Sequence, residues 1–340
     1  MQKYQIKEQE AGQRLDKMLH KLLPEAGSGF LYKMLRKKNI TLNGKKAEGK
    51  EMLSLGDTIE LFFSEETFMK FSGKRLDHKG VLETYEKAFK RYPLASVNSI
   101  GTKNAIQIIH EDENVLICNK PAGILSQKAE ENDISINEWM IGYLVHTGKI
   151  SEEILQTFKP SVCNRLDRNT SGLVICGISL TGSQVMSKLI HDRSLQKFYH
   201  AVVKGRFEHS VHSKGYLLKH EATNKVEILQ NERPGASPIE TAMTPVKITN
   251  EYTLLEVELI TGKPHQIRAH LQSMGHPILG DPKYGDPAWN RKWQERGIHR
   301  QLLHAFRLKF PELAEPGFEA LSDTTILAQE PDDFSIIFHE

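Results

Sequence analysis

Residues 161–177 read SVCNRLDRNTSGLVICG, and this stretch joins a charged loop to an apolar run. The run Leu-Val-Ile-Cys near its end is typical of a buried strand, which predicts that the loop is anchored on the core of a sheet. In the loop, Asp167 lies between Arg165 and Arg168. A carboxylate near two guanidinium groups stays ionised and is suited to act as a nucleophile or a base. Asp167 is therefore a candidate catalytic residue, with a solvated surface ion pair as the alternative.

The tripeptide Arg-Leu-Asp occurs twice more, at 14–16 and at 75–77, so the tripeptide by itself decides nothing. The longer stretch RLDRNTSGLV resembles the catalytic motif of the RluA family of pseudouridine synthases, in which the aspartate of RLDxxTSGL is essential. This resemblance implies that Asp167 is the essential residue, and it gives the other two copies no such role. Many members have histidine where this chain has Asn164, so Asn164 is assigned no catalytic role.

Composition restricts the class of protein. A chain of 340 residues suits two domains, or one large domain with a small appendage. With 45 Lys and Arg against 43 Asp and Glu the net charge is +2, so any nucleic-acid surface must come from local clustering. The 3 cysteines have no CxxC spacing, which argues against a zinc site or a disulfide framework and fits a reducing cytoplasm. No strongly apolar run exceeds 4 residues, so neither a signal peptide nor a membrane span is expected.

The N-terminal 63 residues carry a local basic excess. Apolar spacing predicts helices over 11–25 and 29–38, and the second ends in a basic cluster formed by Lys33, Arg36, Lys37 and Lys38. An Asn-Gly turn and a strand at 58–63 predict a small sheet after them. Residues 11–63 hold 10 Lys and Arg against 6 Asp and Glu, a local charge suited to phosphates. This order of elements resembles the small RNA-binding domain first seen in ribosomal protein S-four, with a basic solvated face as the alternative.

The predicted domains are 1–63 for RNA binding, 64–105 as a linker with one helix over 81–89, and 106–340 for catalysis. Residues 106–125 predict two strands around an acidic turn, followed by Asn-Lys-Pro-Ala-Gly, and they resemble the opening motif of the family. Lys120 there either approaches a phosphate or belongs to a structural turn. Helices are predicted over 134–147 and 183–191.

Two further stretches resemble family motifs. The strand-like run 195–205 contains Lys197 and Tyr199, and a tyrosine on a strand could equally be core packing. The run TGKPHQIR contains Lys263 and Arg268, where the family usually has TGRTHQIR. A metal site at the two nearby histidines, 265 and 270, is disfavoured because a separation of five does not align two ligands on one helix face. Four motifs thus occur in family order.

The resemblance implies an α+β protein, with a bent, mixed and mainly antiparallel sheet flanked by helices and a small N-terminal helix-helix-sheet domain. It implies an isomerase that converts uridine to pseudouridine in structured RNA, with large-subunit ribosomal RNA as the first candidate and transfer RNA as the second. The expected catalytic residues are Asp167, Arg268 paired with it, and Tyr199 stacked on the uracil. Arg165, Lys197 and Lys263 are expected to contact RNA, together with the basic cluster.

No cofactor or metal is expected, because the product is an isomer of the substrate. We also expect a cytoplasmic monomer. Two alternatives remain open. One is a non-catalytic RNA-binding or ribosome-assembly factor on the same scaffold, and the other is a carboxylate glycosidase, which would need a second acidic residue as proton donor.

Overall fold

The computed structural model describes residues 1–72, 78–95, 105–221 and 223–338, with side chains described for all of these except 78–81 and 336–338. The Arg-Leu-Asp copy at 75–77 and the side chain of Val81, at the start of the predicted helix, lie outside the described part. Within the described ranges, no helix is both long and apolar enough to cross a membrane.

The N-terminal region folds into a small antiparallel sheet packed on two helices. In chain order its elements are β1 (Gln2–Gln5), α1 (Leu15–Leu22), α2 (Ser28–Arg36), β2 (Ile40–Leu42), β3 (Lys45–Lys46) and β4 (Thr58–Leu61). The strand order is β1-β4-β2-β3. Leu15, Met18 and Leu19 of α1 are fully buried, as the apolar periodicity predicts. The predicted helix-helix-sheet order is therefore present.

The first helix begins four residues later than the sequence predicts. Residues 11–14 run alongside 51–53, where the Leu53 N–H donates to the Gln13 carbonyl and the Leu15 N–H donates to the Glu51 carbonyl, both at 2.9 Å. These long-range backbone bonds hold the segment extended. Strand β1 was not predicted, because it gains its partners only by pairing with β4 at the edge of the sheet.

The described residues of the region predicted to be a linker form two helices rather than one, α3 (Glu65–Phe71) and α4 (His78–Arg91). The second of them packs against α5 (Ile136–His146), and Tyr85 and Ala88 are buried there. Gly142 permits this approach, since a Cβ atom at that position would lie 2.2 Å from the Tyr85 carbonyl oxygen. Helix α4 thus belongs to the hydrophobic core of the larger body.

The larger body is built on one extended sheet. Its elements, besides α5, are β5 (Gln107–Glu111), β6 (Val115–Lys120), α6 (Glu152–Thr157), β7 (Ser161–Val162), β8 (Ser171–Gly177), α7 (Leu180–His191), β9 (Gln196–Lys204), β10 (Val211–His220), β11 (Lys225–Leu229), β12 (Ser237–Ile248), β13 (Tyr252–Leu259), α8 (Gln266–Ser273), α9 (Pro287–Gln294), β14 (Leu303–Lys309), β15 (Thr325–Leu327) and α10 (Asp332–Phe338).

The strand order is β11-β10-β12-β13-β9-β14-β8-β6-β5, with β7 paired to β8 and β15 paired to β14. Among the described pairs only β14 and β8 run parallel. This mixed, mainly antiparallel sheet with flanking helices confirms the predicted α+β class. The predicted strands β5, β6 and β9 and the predicted helices α5 and α7 are also present. The C-terminal tail contributes the edge strand β15 and the helix α10.

Strand β8 positions the charged loop that precedes it. All seven of its residues are buried. Val174 packs with the cluster around α5, and Leu173 and Ile175 pack with the cluster around α7, so both faces of the strand are covered. Burial on both faces explains why the sequence of this strand is a continuous apolar run. Burying each large apolar side chain of the strand stabilises the fold by about 1.5–3 kcal/mol. At its start Gly172 has φ 119° and lies against the Ala305 backbone, a contact that a Cβ atom would prevent.

Candidate active site

Asp167 and Arg268 form an ion pair although they are 101 residues apart in the chain, with 2.6 Å between Arg268 Nη1 and Asp167 Oδ2. The Asp167 side chain is 26% exposed to solvent, whereas the Arg268 side chain is 7% exposed. Asp167 lies in the loop before β8, and its carbonyl closes a turn by accepting from the Thr170 N–H at 3.0 Å. The geometry therefore presents a partly accessible carboxylate fixed by a buried guanidinium.

A second carboxylate, Asp281, orients the guanidinium from behind. Its oxygens accept from Arg268 Nε at 2.7 Å and from Nη2 at 2.9 Å. They also accept from the backbone N–H groups of Lys283 and Tyr284, so four donors surround this fully buried group. Burial alone would raise the pKa of Asp281, but hydrogen bonds and charge from Arg268 hold it below its usual value.

Both carboxylates affect the pKa of the Arg268 guanidinium. Burial alone would lower the pKa of Arg268, and Asp281 together with Asp167 raise it above its ordinary value. Sequence reasoning assigned Asp281 no role. Its only signal was its place in the Gly-Asp-Pro-Lys-Tyr stretch at 280–284, which continues the family resemblance.

The last residue of β6, Lys120, supports the loop through hydrogen bonds to its backbone. Lys120 is fully buried, and its Nζ atom donates to the carbonyls of Ile124 at 2.9 Å, Arg168 at 3.3 Å and Asp167 at 3.4 Å. Burial, with a smaller effect from the charge of Arg300, lowers the pKa of Lys120 to about 7. This lysine is bonded to the loop backbone, so of the two interpretations left open by the sequence the structure favours the structural one over phosphate contact.

Asn164 has a structural place at the start of the loop. Its side-chain oxygen accepts from the Ile175 N–H at 2.8 Å, and its Nδ2 atom donates to the Leu173 carbonyl at 3.1 Å. The amide therefore ties the loop to strand β8.

Tyr199 is carried by β9 and lines the cleft beside Asp167. The residue is 5% exposed, and burial, followed by the charge of Asp167, raises the pKa of its hydroxyl above the usual value. Tyr199 thus forms a mostly buried aromatic wall next to the carboxylate.

Two histidines predicted to make a poor metal pair have separate partners. His265, with φ 55° at the start of α8, places its Nδ1 atom 3.0 Å from the Tyr284 hydroxyl. His270 lies 2.9 Å from the Ser213 hydroxyl and 3.2 Å from the Thr241 hydroxyl. Among the described residues, no group of three or more His, Cys, Asp or Glu side chains is arranged to hold a metal ion.

The cleft that contains Asp167 is large and cationic. Its volume is about 1080 Å³, and among its described lining residues Asp167 is the one carboxylate. The cationic lining residues are Lys128, Arg165, Arg168, Lys197, Lys219, Lys225, Lys263, Arg268 and Lys283. A second cavity of about 600 Å³ is lined by Glu8, Asp112, Glu113 and Glu319 together with Lys149. Its acidic lining does not suit a phosphate, so the cleft around Asp167 is the candidate active site.

Comparison with known proteins shows which proteins this chain is similar to. Residues 114–273 match the family model described as RNA pseudouridylate synthase. The chain is an enzyme of the pseudouridine synthase type. The chain is similar to a "Ribosomal large subunit pseudouridine synthase C" of Vibrio vulnificus, which is 26% identical over 90% of this chain and 87% of the relative. A protein of the same description from Escherichia coli is 28% identical over 88% of this chain and 86% of its own length.

A solved structure shares the fold of this synthase. The "Human RNA Pseudouridylate Synthase Domain Containing 4" structure superposes with a TM-score of 0.53 at 22% identity, over 78% of this chain and 97% of that one. At this identity the likeness concerns the fold alone.

The predicted RNA-contacting residues of the synthase fall into three groups. Arg165 and Lys263 line the cleft. Lys197 also lines it, but only 6% of the residue is exposed and its Nζ atom donates at 3.3 Å to the carbonyl of Leu195, the residue just before β9. The basic cluster of α2 and the residues after it is exposed to solvent and is not among the described residues that line the cleft. The structure therefore brings together the cleft residues and leaves the basic cluster as a separate surface.

Proposed function

We propose that this chain isomerises specific uridines to pseudouridine in large-subunit ribosomal RNA, with Asp167 as the essential catalytic residue. The observation that carries the proposal is the Asp167–Arg268 ion pair at 2.6 Å inside a cleft whose other charged lining residues are cationic. Cations attract the RNA backbone, and the guanidinium of Arg268 holds the Asp167 carboxylate in place when the base displaces water. The names of the relatives support ribosomal RNA as the substrate class.

The reaction defines what the cleft must do. The bond between uracil N1 and ribose C1′ breaks, the base rotates, and C5 joins C1′. The hydrogen of C5 leaves as a proton, and N1 carries a proton in the product, so the substrate and product have the same composition. Asp167 supplies the charged group that attacks or assists at the sugar or the base, and Arg268 orients it and stabilises its charge.

A uracil within a helix hides its glycosidic bond, so the base must leave the stack at a cost of about a few kcal/mol. The wall formed by Tyr199 is suited to stack on the extruded uracil. Arg165 lines the same cleft and is suited to fill the gap that the base leaves. Lys263 and the other lining cations then neutralise flanking phosphates, which positions the RNA independently of its sequence.

Residues 1–63 act, in this proposal, as an RNA-binding domain of the S-four type. The helix-helix-sheet order and the exposed basic cluster on and after α2 support this assignment. Residues 106–340 form the catalytic domain, and α4 of the intervening segment packs on it. The protein works as a monomer in the cytoplasm, where bacterial ribosomal RNA is modified.

The test compares pseudouridine maps of total RNA from cells with and without this gene. We expect one or more large-subunit positions to lose the modification, and the purified chain to restore it on RNA from the deletion strain. Release of tritium from uridine labelled at C5 gives the rate. An assembly factor that lacks the chemistry would leave the map unchanged and alter ribosome assembly instead, and that result would reject the proposal.

A further inference from the structure

The turn at residues 280–284 contacts the catalytic ion pair from behind. The Asp281 carboxylate holds two guanidinium nitrogens of Arg268. The Arg268 Cζ atom lies 5.1 Å from the centroid of the Tyr284 ring. Because the third nitrogen of this guanidinium binds Asp167, the turn determines where the catalytic carboxylate points.

The same turn also contacts the β10–β11 hairpin. The Tyr284 hydroxyl accepts from the Val226 N–H of β11 at 2.9 Å and lies 3.0 Å from His265 Nδ1. A second link joins the turn to the hairpin, since Lys283 Nζ donates to the Asn224 carbonyl. Tyr284 is 7% exposed, so its hydroxyl bonds are made in a largely water-excluded place where each is worth most.

The hairpin end reaches the cleft. Lys219, Asn224 and Lys225 line it together with Asp167. The pairing of β10 with β11 ends here with the pair His220 and Lys225. A phosphate of bound RNA that contacts Lys225 would therefore pull on the strand whose next residue is bonded to Tyr284.

We infer that Tyr284 is a positioning residue that couples RNA contact at the hairpin end to the orientation of Arg268, and through Arg268 to Asp167. This inference rests on the proposed function. A close-packed interior transmits displacement, so the hydroxyl bonded to β11 and the ring packed on the guanidinium move together. The coupling is a free energy shared by both sites, so RNA held by the hairpin also aligns the carboxylate.

The experiment is a double-mutant cycle on single-turnover rates at saturating RNA. The substrate is large-subunit ribosomal RNA from the deletion strain, labelled with tritium at uridine C5. Tyr284→Phe retains the ring under the guanidinium and removes the hydroxyl, and we expect a rate about tenfold lower, as for the loss of one buried hydrogen bond. Lys225→Ala should lower both affinity and saturated rate in the wild-type background. In the Tyr284→Phe background it should lower affinity alone.

Matched variants separate coupling from folding. Tyr216→Phe removes a hydroxyl from β10 outside the described lining of the cleft and should leave the rate unchanged. Lys283→Met cuts the second link while Tyr284 stays bonded to β11, so Lys225→Ala should still lower the saturated rate in that background. Loss of the Lys225→Ala effect in Lys283→Met would assign the coupling to Lys283 and overturn the inference. If Tyr284→Phe does not fold, Lys225→Ala alone still decides, since an unchanged saturated rate would overturn the inference.

Independent effects of the two substitutions on the saturated rate, or an unchanged rate in Tyr284→Phe, would overturn the inference. An inactive wild-type protein would instead reject the proposed function, and with it this inference, so the two failures are distinguishable.

Discussion

Asp281 binds Arg268 through two hydrogen bonds, at 2.7 Å to Nε and 2.9 Å to Nη2, and leaves Nη1 to meet Asp167 at 2.6 Å. One buried cation is therefore shared by two carboxylates of different accessibility, since the Asp281 side chain is fully buried and that of Asp167 keeps 26% of its exposure. The inaccessible carboxylate fixes the fork geometry of the guanidinium, and the accessible one is free to meet a substrate. This division of roles makes Asp167 the group to test first.

Asp167→Asn should abolish isomerisation while RNA binding survives. The amide has nearly the same shape but carries no charge, and removal of an essential group lowers the rate by at least about a thousandfold. Single-turnover tritium release and RNA binding are the measurements. Asp16→Asn is the matched control because it alters the same tripeptide in the N-terminal body, and it should leave the saturated rate nearly unchanged. Turnover by Asp167→Asn at the wild-type rate would contradict the assignment.

Arg268→Met should lower the single-turnover rate even at saturating RNA. Without the guanidinium, the Asp167 carboxylate loses the partner that orients it, so the loss of rate should persist when all of the enzyme has bound RNA. If Arg268 only bound an RNA phosphate, saturating RNA would restore the rate. The variant also leaves the Asp281 charge buried without its partner, which costs about 3–5 kcal/mol of stability. The rates are therefore compared at a temperature where thermal unfolding shows both proteins folded, and Arg268→Lys, which retains a charge, should behave between the two.

His304 should make the stability of the protein sensitive to acid. His304 lies on β14, which pairs with β8, and its Nδ1 atom is 2.9 Å from the hydroxyl oxygen of Ser171 on β8. Burial lowers the pKa of His304 to about 4, against about 6.5 in an unfolded chain. Between these values the unfolded state binds more protons, so this contribution is present above pH 6.5 and is lost as pH falls towards 4.

The difference corresponds to about 3 kcal/mol in the free energy of unfolding. Denaturant unfolding of wild type and His304→Gln at several pH values should show the wild type losing more stability over that window. The exposed His209 provides the control, since His209→Gln should follow the wild-type curve. Parallel curves for wild type and His304→Gln would show that His304 does not titrate in this way.

Replacing Lys33, Arg36, Lys37 and Lys38 together with Gln should weaken RNA binding and flatten its dependence on salt. For each RNA phosphate that the cluster no longer neutralises, the slope of log affinity against log salt should become shallower by about 0.7–0.9. Lys87→Gln with Lys90→Gln on the exposed face of α4 removes cations that are already paired with glutamates, and should change the slope little. An unchanged slope in the fourfold variant would mean that the basic cluster is only a solvated face.

Local patterns in the sequence were sufficient for much of the fold. The apolar run of β8, the 3.6-residue periodicity of α1 and the turn between β5 and β6 each depend on near neighbours, so they can be read without knowing the rest of the chain. The same reasoning missed β1, whose pairing partner β4 lies more than fifty residues away. It also treated α4 as part of a linker, because its packing on α5 through Gly142 depends on two segments that only the fold brings together.

For the candidate site, the sequence by itself determined which residue types were available: a loop aspartate between two arginines, a strand tyrosine and an arginine at the start of a helix. The tertiary structure decided their partners. It joined Arg268 to both Asp167 and Asp281, and it buried Lys120 under the loop instead of leaving it for a phosphate. The physical reason is that hydrogen bonds and ion pairs act over about 3 Å in space, while the residues that make them can be 101 positions apart in the chain.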